Sequence, residues 1–214
     1  MQSAVARKLI RPKKIDDELT TRLEVLVRKA KVGDVAAFQE LYRGYAQKIL
    51  NYVYRMTGSR EDAEDLTQET FILAFRNLSS LKENSRFQSW LYRIAQNNVY
   101  QRYRGQSPQM ESIEGADEDS RVLQIPSRGA SPEGGVLSGE LASVVDTVIQ
   151  QLPEKYRQVF ILSALQHLSY ETIAEIVGRS MASVKSDIHR ARVEVREKVK
   201  RYLGDNYGLS GLSK

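Results

Sequence analysis

The sequence predicts an all-α protein of two small helical domains, a helical bundle and a helix-turn-helix module, joined by a flexible linker. Three observations carry that expectation. Apolar residues recur at spacings of three and four from Asp16 to Arg104, and the same period resumes at Leu141. Between Gly105 and Ser138, Gly, Ser, Pro and acidic residues dominate and the periodicity disappears. No stretch alternates apolar and polar residues as a half-buried strand does. A chain of 214 residues is long enough for two cores. The expected boundaries are a tail over 1–16, a first domain over 17–104, a linker over 105–138, a second domain over 139–203 and a tail over 204–214.

In the first domain, Asp34 caps a helix bearing Val35, Phe38, Leu41, Tyr42, Tyr45, Ile49, Tyr52 and Val53, and Gly58 ends it. Ser59 with Asp62 three residues on resembles a capping box, Asp replacing the usual Glu. The helix it opens carries Ala63, Leu66, Phe71, Ala74, Phe75 and Leu78. A polar loop from Lys82 to Arg86 leads to a last helix with Trp90, Leu91, Ile94 and Ala95.

In the second domain, Leu141, Val144, Val145 and Val148 mark one helix. Pro153 opens another bearing Tyr156, Val159, Phe160 and Leu162. From Leu168 to Val193 the chain reads as a helix-turn-helix. Ser169 caps the first helix, Glu171 sits in its first turn, Gly178 ends it and Ser180 caps the second. Val184, Ile188, Ala191 and Val195 share one face of that second helix. Lys185, His189, Arg192 and Arg196 share another. A helix glued to a core on one side and cationic on another suits a DNA major groove, where Arg and Lys reach guanine edges and phosphates. The plain alternative is a helical hairpin with a solvated charged face.

The formal net charge is +5, which suits a polyanionic partner, and its distribution says more. From Arg179 to Arg201 there are eight Lys/Arg against three acids; between Gly105 and Ser138 there are two against six. The linker is therefore a spacer rather than a duplex ligand. There is no cysteine, so disulfides and thiolate metal sites are excluded. No apolar run approaches a membrane span, and Val5 to Lys14 is too charged for a signal-peptide core. A soluble cytoplasmic protein is expected. His167 and His189 are the only histidines and lack metal-ligand spacing. No metal or cofactor is expected, and His167 reads as a half-buried structural residue.

Two constellations carry chemistry. In the segment from Ser59 to Phe75, Asp62, Asp65 and Glu69 share a face beside Leu66, Phe71 and Phe75. That face suits a basic protein surface with apolar anchors; an acidic helix start favourable to the dipole is the simpler account of Glu61 and Asp62. From Arg86 to Arg104, Phe87, Trp90, Tyr92, Tyr100 and Tyr103 interleave with Arg86, Arg93, Arg102 and Arg104, and with Asn97, Asn98 and Gln101. Stacking faces, cations and amides in one helix suit a strand with unstacked bases. At Phe87 and Trp90 core packing is the better account, since Leu91 and Ile94 continue an apolar stripe, while at Asn97 core capping and DNA contact weigh equally.

Together these motifs resemble the extracytoplasmic-function (ECF) sigma factors, the two-domain class of bacterial RNA polymerase specificity subunits. DAEDLTQETFILAF resembles family region 2.1–2.2, FQSWLYRIAQNN region 2.3–2.4, and the segment from Leu152 to Arg192 region 4. The resemblance implies that Asp62, Asp65, Leu66, Gln68 and Phe71 meet the coiled coil of the polymerase largest subunit. It implies that Asn84, Ser85, Arg86, Phe87, Trp90, Arg93 and Asn97 recognise and open the −10 element. Arg179, Ser183, Lys185, Ser186, His189, Arg190 and Arg192 would contact the −35 element. It further implies contact with the polymerase flap and restraint by an anti-sigma factor. Gln101 stands where the family often has Asp, and Ser180-Met181-Ala182 departs from its commoner turn.

The expected function is thus a sigma subunit, a binding protein rather than an enzyme. It would bind core RNA polymerase, direct it to a bipartite promoter and aid DNA melting. The alternative is a stand-alone helix-turn-helix transcriptional regulator whose N-terminal domain senses a ligand or dimerises. A nucleic-acid hydrolase would need a metal-binding carboxylate cluster beyond the acidic helix.

Overall fold

The computed structural model describes residues 13–104 and 136–207, with side-chain surroundings for 21–103 and 143–202. Among the described residues the chain forms eight α-helices and no strand. Four belong to the first half: α1 (Lys13–Lys31), α2 (Val35–Thr57), α3 (Arg60–Asn77) and α4 (Phe87–Arg104). Four follow the linker: α5 (Val136–Gln150), α6 (Glu154–Phe160), α7 (Tyr170–Val177) and α8 (Met181–Tyr207). Most of the expected linker, 105–135, and the tails 1–12 and 208–214 lie outside the described residues.

The helix ends follow local chemistry. Asp34 Oδ1 accepts from the Ala37 N–H at 3.0 Å, satisfying a donor that α2 leaves orphaned. Gly58 ends α2 at φ 73°, its N–H donating to Tyr54 O at 2.7 Å. Ser59 Oγ accepts from the Asp62 N–H at 3.2 Å, but Asp62 does not reach back. Its carboxylate accepts instead from Tyr103 Oη at 2.9 Å and from Arg102 Nη1 at 3.1 Å. The capping box is therefore half formed, and its second half ties α3 to α4. Ser169 Oγ accepts from Thr172 N–H at 3.1 Å, Gly178 ends α7 at φ 67°, and Ser180 Oγ accepts from Ser183 N–H at 3.2 Å.

Between α6 and α7 the sequence reading misses a turn of π-helix, Ile161–Leu165, with Gln166 N–H donating to Ile161 O at 3.0 Å. The chain leaves it through His167 at φ 54°. His167 is exposed, not half-buried as expected.

The two halves are not held apart. Tyr52, Tyr92, Leu91, Ile149, Leu152, Ile161 and Leu162 are buried in one continuous core. Polar groups of the second half finish the C-terminal end of α2. Gln150 Nε2 donates to Arg55 O at 2.8 Å, and Arg157 Nη1 donates to Met56 O at 3.1 Å. The other arm of the same guanidinium donates to Gln150 O at 2.5 Å and Leu152 O at 3.0 Å. Arg55 pairs with Asp146 at 3.2 Å. Tyr92 Oη donates to Gln166 Oε1 at 2.8 Å, and Tyr100 Oη donates to Gln158 Oε1 at 3.3 Å.

Burial raises the phenols of Tyr52, Tyr92 and Tyr100 well above their ordinary value of 10.0. In the unfolded chain they ionise near 10. The stability they contribute as neutral groups is thus complete below that pH and is lost as pH climbs beyond it. We expect helical circular dichroism to fall above pH 10, with the tyrosinate absorbance of this cluster appearing only as the helices melt. Full tyrosinate absorbance with helical signal retained would contradict the packing.

Candidate nucleic-acid interface

Before α4 the chain makes a 3-10 turn, Asn84–Arg86, where the sequence reading has a loop. Lys31 Nζ donates to Leu81 O, so the end of α1 braces the approach to this turn. Ser85 and Arg86 are exposed, and Asn84 Oδ1 is buried without a hydrogen-bond partner. Along α4, Trp90, Arg93, Asn97 and Gln101 recur at spacings of three and four and so form one stripe. Trp90 is half-buried; the other three are exposed. Asn97 therefore lies at the surface, and the buried amide is its neighbour Asn98, which donates to Thr70 Oγ1 at 3.1 Å.

Phe87 follows the core reading of its stripe and departs from the −10 role that the resemblance implies. It is fully buried, with its ring 5.4 Å from Tyr45 and 6.1 Å from Trp90. It shapes the turn from beneath and presents nothing to a base.

The helix-turn-helix is built on Ile173, Ile176, Val184, Ile188 and Ala191, all buried. Lys185, Ser186, His189, Arg190 and Arg192 are exposed and Ser183 is half-buried. Lys185 Nζ rests 5.9 Å from the centre of the Tyr170 ring. Arg192 Nη2 donates to Ser163 Oγ at 3.2 Å. Arg190 lies roughly 140° around the helix from Lys185 and turns to Tyr156 Oη at 3.4 Å. Arg179 is also redirected. It pairs with the buried carboxylate of Asp187, fixing the turn against α8, and reaching DNA would strand that charge.

In the first domain, α2 and α3 form a shallow, mostly apolar groove lined by Phe38, Tyr42, Phe71, Ile72 and Phe75 together with Gln68 and Arg76. Ile72, Tyr42 and Phe75 are 44%, 46% and 52% exposed, an apolar patch of the kind that marks interaction surfaces. Phe75 meets Phe38 edge-on at 4.9 Å, and Phe71 meets Tyr42 at 4.7 Å. Glu61, Asp65, Gln68 and Glu69 are exposed alongside. Leu66, expected at this interface, is 1% exposed and belongs to the core. Asp62 is partly covered by its bonds to α4. Burial and Asp62 together push the Tyr103 phenol up to about 12.

Phe38, Tyr42 and Ile72 are functional candidates that the sequence reading left to the core or passed over. The signal was present at Ile72, which lies in phase with Asp65 and Gln68 on the polar side of α3. Among the described residues no group of His, Cys, Asp or Glu is placed to hold a metal, and no helix is long and apolar enough to cross a membrane.

A helical bundle with an aromatic-basic helix, followed by a helix-turn-helix with one cationic face, defines a two-domain DNA-binding transcription protein. Comparison with known families gives the class. Residues 41–109 match the Sigma-70 region 2 model and residues 143–195 the Sigma-70 region 4 model. The ECF RNA polymerase sigma factor SigW of Bacillus subtilis is 36% identical over 177 residues, which cover 81% of this chain and 95% of that protein. The ECF RNA polymerase sigma-E factor of Escherichia coli K12 is 38% identical over 183 residues, covering 82% and 93%.

Solved structures agree on the fold. CnrH, determined in complex with the cytosolic domain of CnrY, superposes with a TM-score of 0.64 at 22% identity, over 84% of this chain and 98% of that one. The sigma factor RpoE of Bartonella quintana, in complex with the anti-sigma factor NepR, gives 0.58 at 22% identity, over 78% and 98%. The chain belongs to the ECF sigma factors, and it directs transcription initiation.

Burial separates scaffold from surface in a testable way. Leu66→Ala should cost about 2–5 kcal/mol and Phe87→Ala about 3–5 kcal/mol of folding stability. Arg93→Ala and Asn97→Ala should change it by less than about 0.5 kcal/mol. Urea titration of the four variants checks this contrast.

Proposed function

We propose that this sigma factor binds core RNA polymerase through the acidic and apolar face of α2 and α3. In this reading residues 17–104 dock polymerase and open the −10 element, residues 139–203 read the −35 element, and 105–138 spaces them between tails 1–16 and 204–214. The observation that carries the reading is α8, whose apolar face is buried while Lys185, His189 and Arg192 stand exposed on another. Arg and Lys so held reach guanine edges bidentately or neutralise phosphates.

Asn84, Ser85, Arg86, Trp90, Arg93 and Asn97 form the −10 surface, with Phe87 as its support. A half-buried indole suits bases already drawn out of the stack, and capturing them offsets the few kcal/mol of unstacking. Asp65, Gln68, Phe71, Ile72 and Phe75 form the surface for the coiled coil of the largest subunit. Region 4 meets the flap. The complexes of CnrH with CnrY and of RpoE with NepR support an anti-sigma factor as a further partner. The protein acts in the cytoplasm by binding, and nucleotide addition belongs to the polymerase.

Lys185→Ala with Arg192→Ala should leave the fold intact and weaken −35 duplex binding by about 1–3 kcal/mol for each bidentate base pairing removed. If these cations bind phosphate instead, the weakening should be equal on all sequences, with a salt slope shallower by about one per cation. Unchanged duplex affinity in electrophoretic titration would remove α8 as the reader.

At the other face, Asp65→Lys with Phe75→Ala should weaken association with core polymerase by about 2 kcal/mol or more, roughly thirtyfold. Both side chains are largely exposed, so thermal stability should hold. Wild-type affinity for core polymerase in the double variant would overturn the docking assignment.

A further inference from the structure

We propose that Met181 reads a thymine of the −35 element through its 5-methyl group, so that an apolar side chain sets part of the promoter choice. This rests on the reading of α8 as the −35 helix and assigns a base to its first residue.

A recognition helix enters the major groove with its N-terminal residues nearest the base edges. α8 begins at Met181. The side chains just before it are engaged within the protein. Ser180 Oγ accepts from the Ser183 N–H at 3.2 Å, and the Arg179 guanidinium is held by the Asp187 carboxylate. What leads the helix is therefore apolar: Met181, 41% exposed, and the exposed methyl of Ala182.

The direction of Met181 is set by the helical period. At about 100° per residue it stands about 40° from Lys185 and about 20° from Arg192, the exposed cations of the same row. Val193, the other exposed aliphatic side chain of α8, is about 120° away. Ile188 is also in phase with Met181, but burial stops at Val184, and at Met181 the helix has run past the core. Seating Lys185 and Arg192 on base edges or phosphates thus carries Met181 into the same groove.

On the major-groove edges, guanine, cytosine and adenine offer hydrogen-bonding groups, and the thymine methyl is the one apolar feature. A thioether chain laid on donors and acceptors leaves them unpaired, whereas against a methyl it removes apolar area from water on both sides. Three rotatable bonds let Met follow the groove wall to reach it.

The test uses the holoenzyme formed by the full chain with core polymerase, and a promoter duplex that it selects from a random pool. Each thymine upstream of the melted segment is replaced singly by deoxyuridine, which removes the methyl and keeps every hydrogen-bonding group. At one thymine the wild type should lose about fourfold in competition binding, the value of one buried methyl group. Met181→Ala should bind the thymine and deoxyuridine duplexes equally at that position. Met181→Leu, still apolar, should retain the loss. Both variants should fold, because the side chain is exposed at the first helical position.

A wild type indifferent to every deoxyuridine, a Met181→Ala variant that keeps every loss, or a Met181→Leu variant that keeps none overturns the assignment. Failure of the underlying reading has a separate signature, because Lys185→Ala with Arg192→Ala would then hold the selected duplex as tightly as the wild type. Weakened binding in that double variant, with the thymine dependence untouched by Met181→Ala, leaves α8 as the reader and removes Met181 alone.

Discussion

The Arg157 guanidinium lies where two helices run out of partners. The last carbonyls of α2 and α5 converge on it, each at the negative end of a helix dipole. One cation satisfies Met56 O, Gln150 O and Leu152 O together. It is 5% exposed, and burial lowers its pKa from the ordinary arginine value while nearby Glu154 opposes that shift. A buried charge of this kind is tolerated only because every carbonyl it meets would otherwise be a costly orphan. The pairing of α2 with α5, and hence of one domain with the other, depends on this arrangement. Gly58 depends on it too: a Cβ there would stand 3.3 Å from the Gln150 side chain.

From that junction the rest of the packing follows. With α5 and α6 fixed against α2, the π turn brings Gln166 under Tyr92, and α7 comes to lie along α4. The helix-turn-helix is then carried as a unit, because Arg179 and Asp187 lock its turn to α8. The contact between domains mixes buried apolar side chains with hydrogen bonds whose groups return to water without penalty once exposed.

Much of this was legible in the sequence. Asp34, Ser59, Ser169 and Ser180 cap the helices they precede, and Gly58 and Gly178 end those they follow, because capping is decided within four residues. The faces of α8 were equally clear from its period. What the sequence concealed depends on residues far along the chain. Phe87 carried two roles, core packing from its apolar stripe and −10 contact from the resemblance, and its packing against Tyr45 of α2 decides for the core. Asp62 looked free until Arg102 and Tyr103, forty residues on, claimed it. Leu66 and Ile72 are both apolar and six residues apart, yet one is core and one surface. Their difference lies in which neighbour each faces, not in their type.

The end of α2 has a consequence for how the chain acquires its structure. Its carbonyls at Arg55 and Met56 meet their donors 95 and 101 residues later in the sequence. During synthesis these carbonyls leave the ribosome well before their donors do, because the chain is made from its N-terminus. Loop closure on that scale is slow compared with helix formation. Every newly made molecule therefore passes through a period in which its first domain has been synthesised and its second is not yet seated against it. The age of a nascent chain, and not only its eventual equilibrium, sets which of its surfaces the cell meets first.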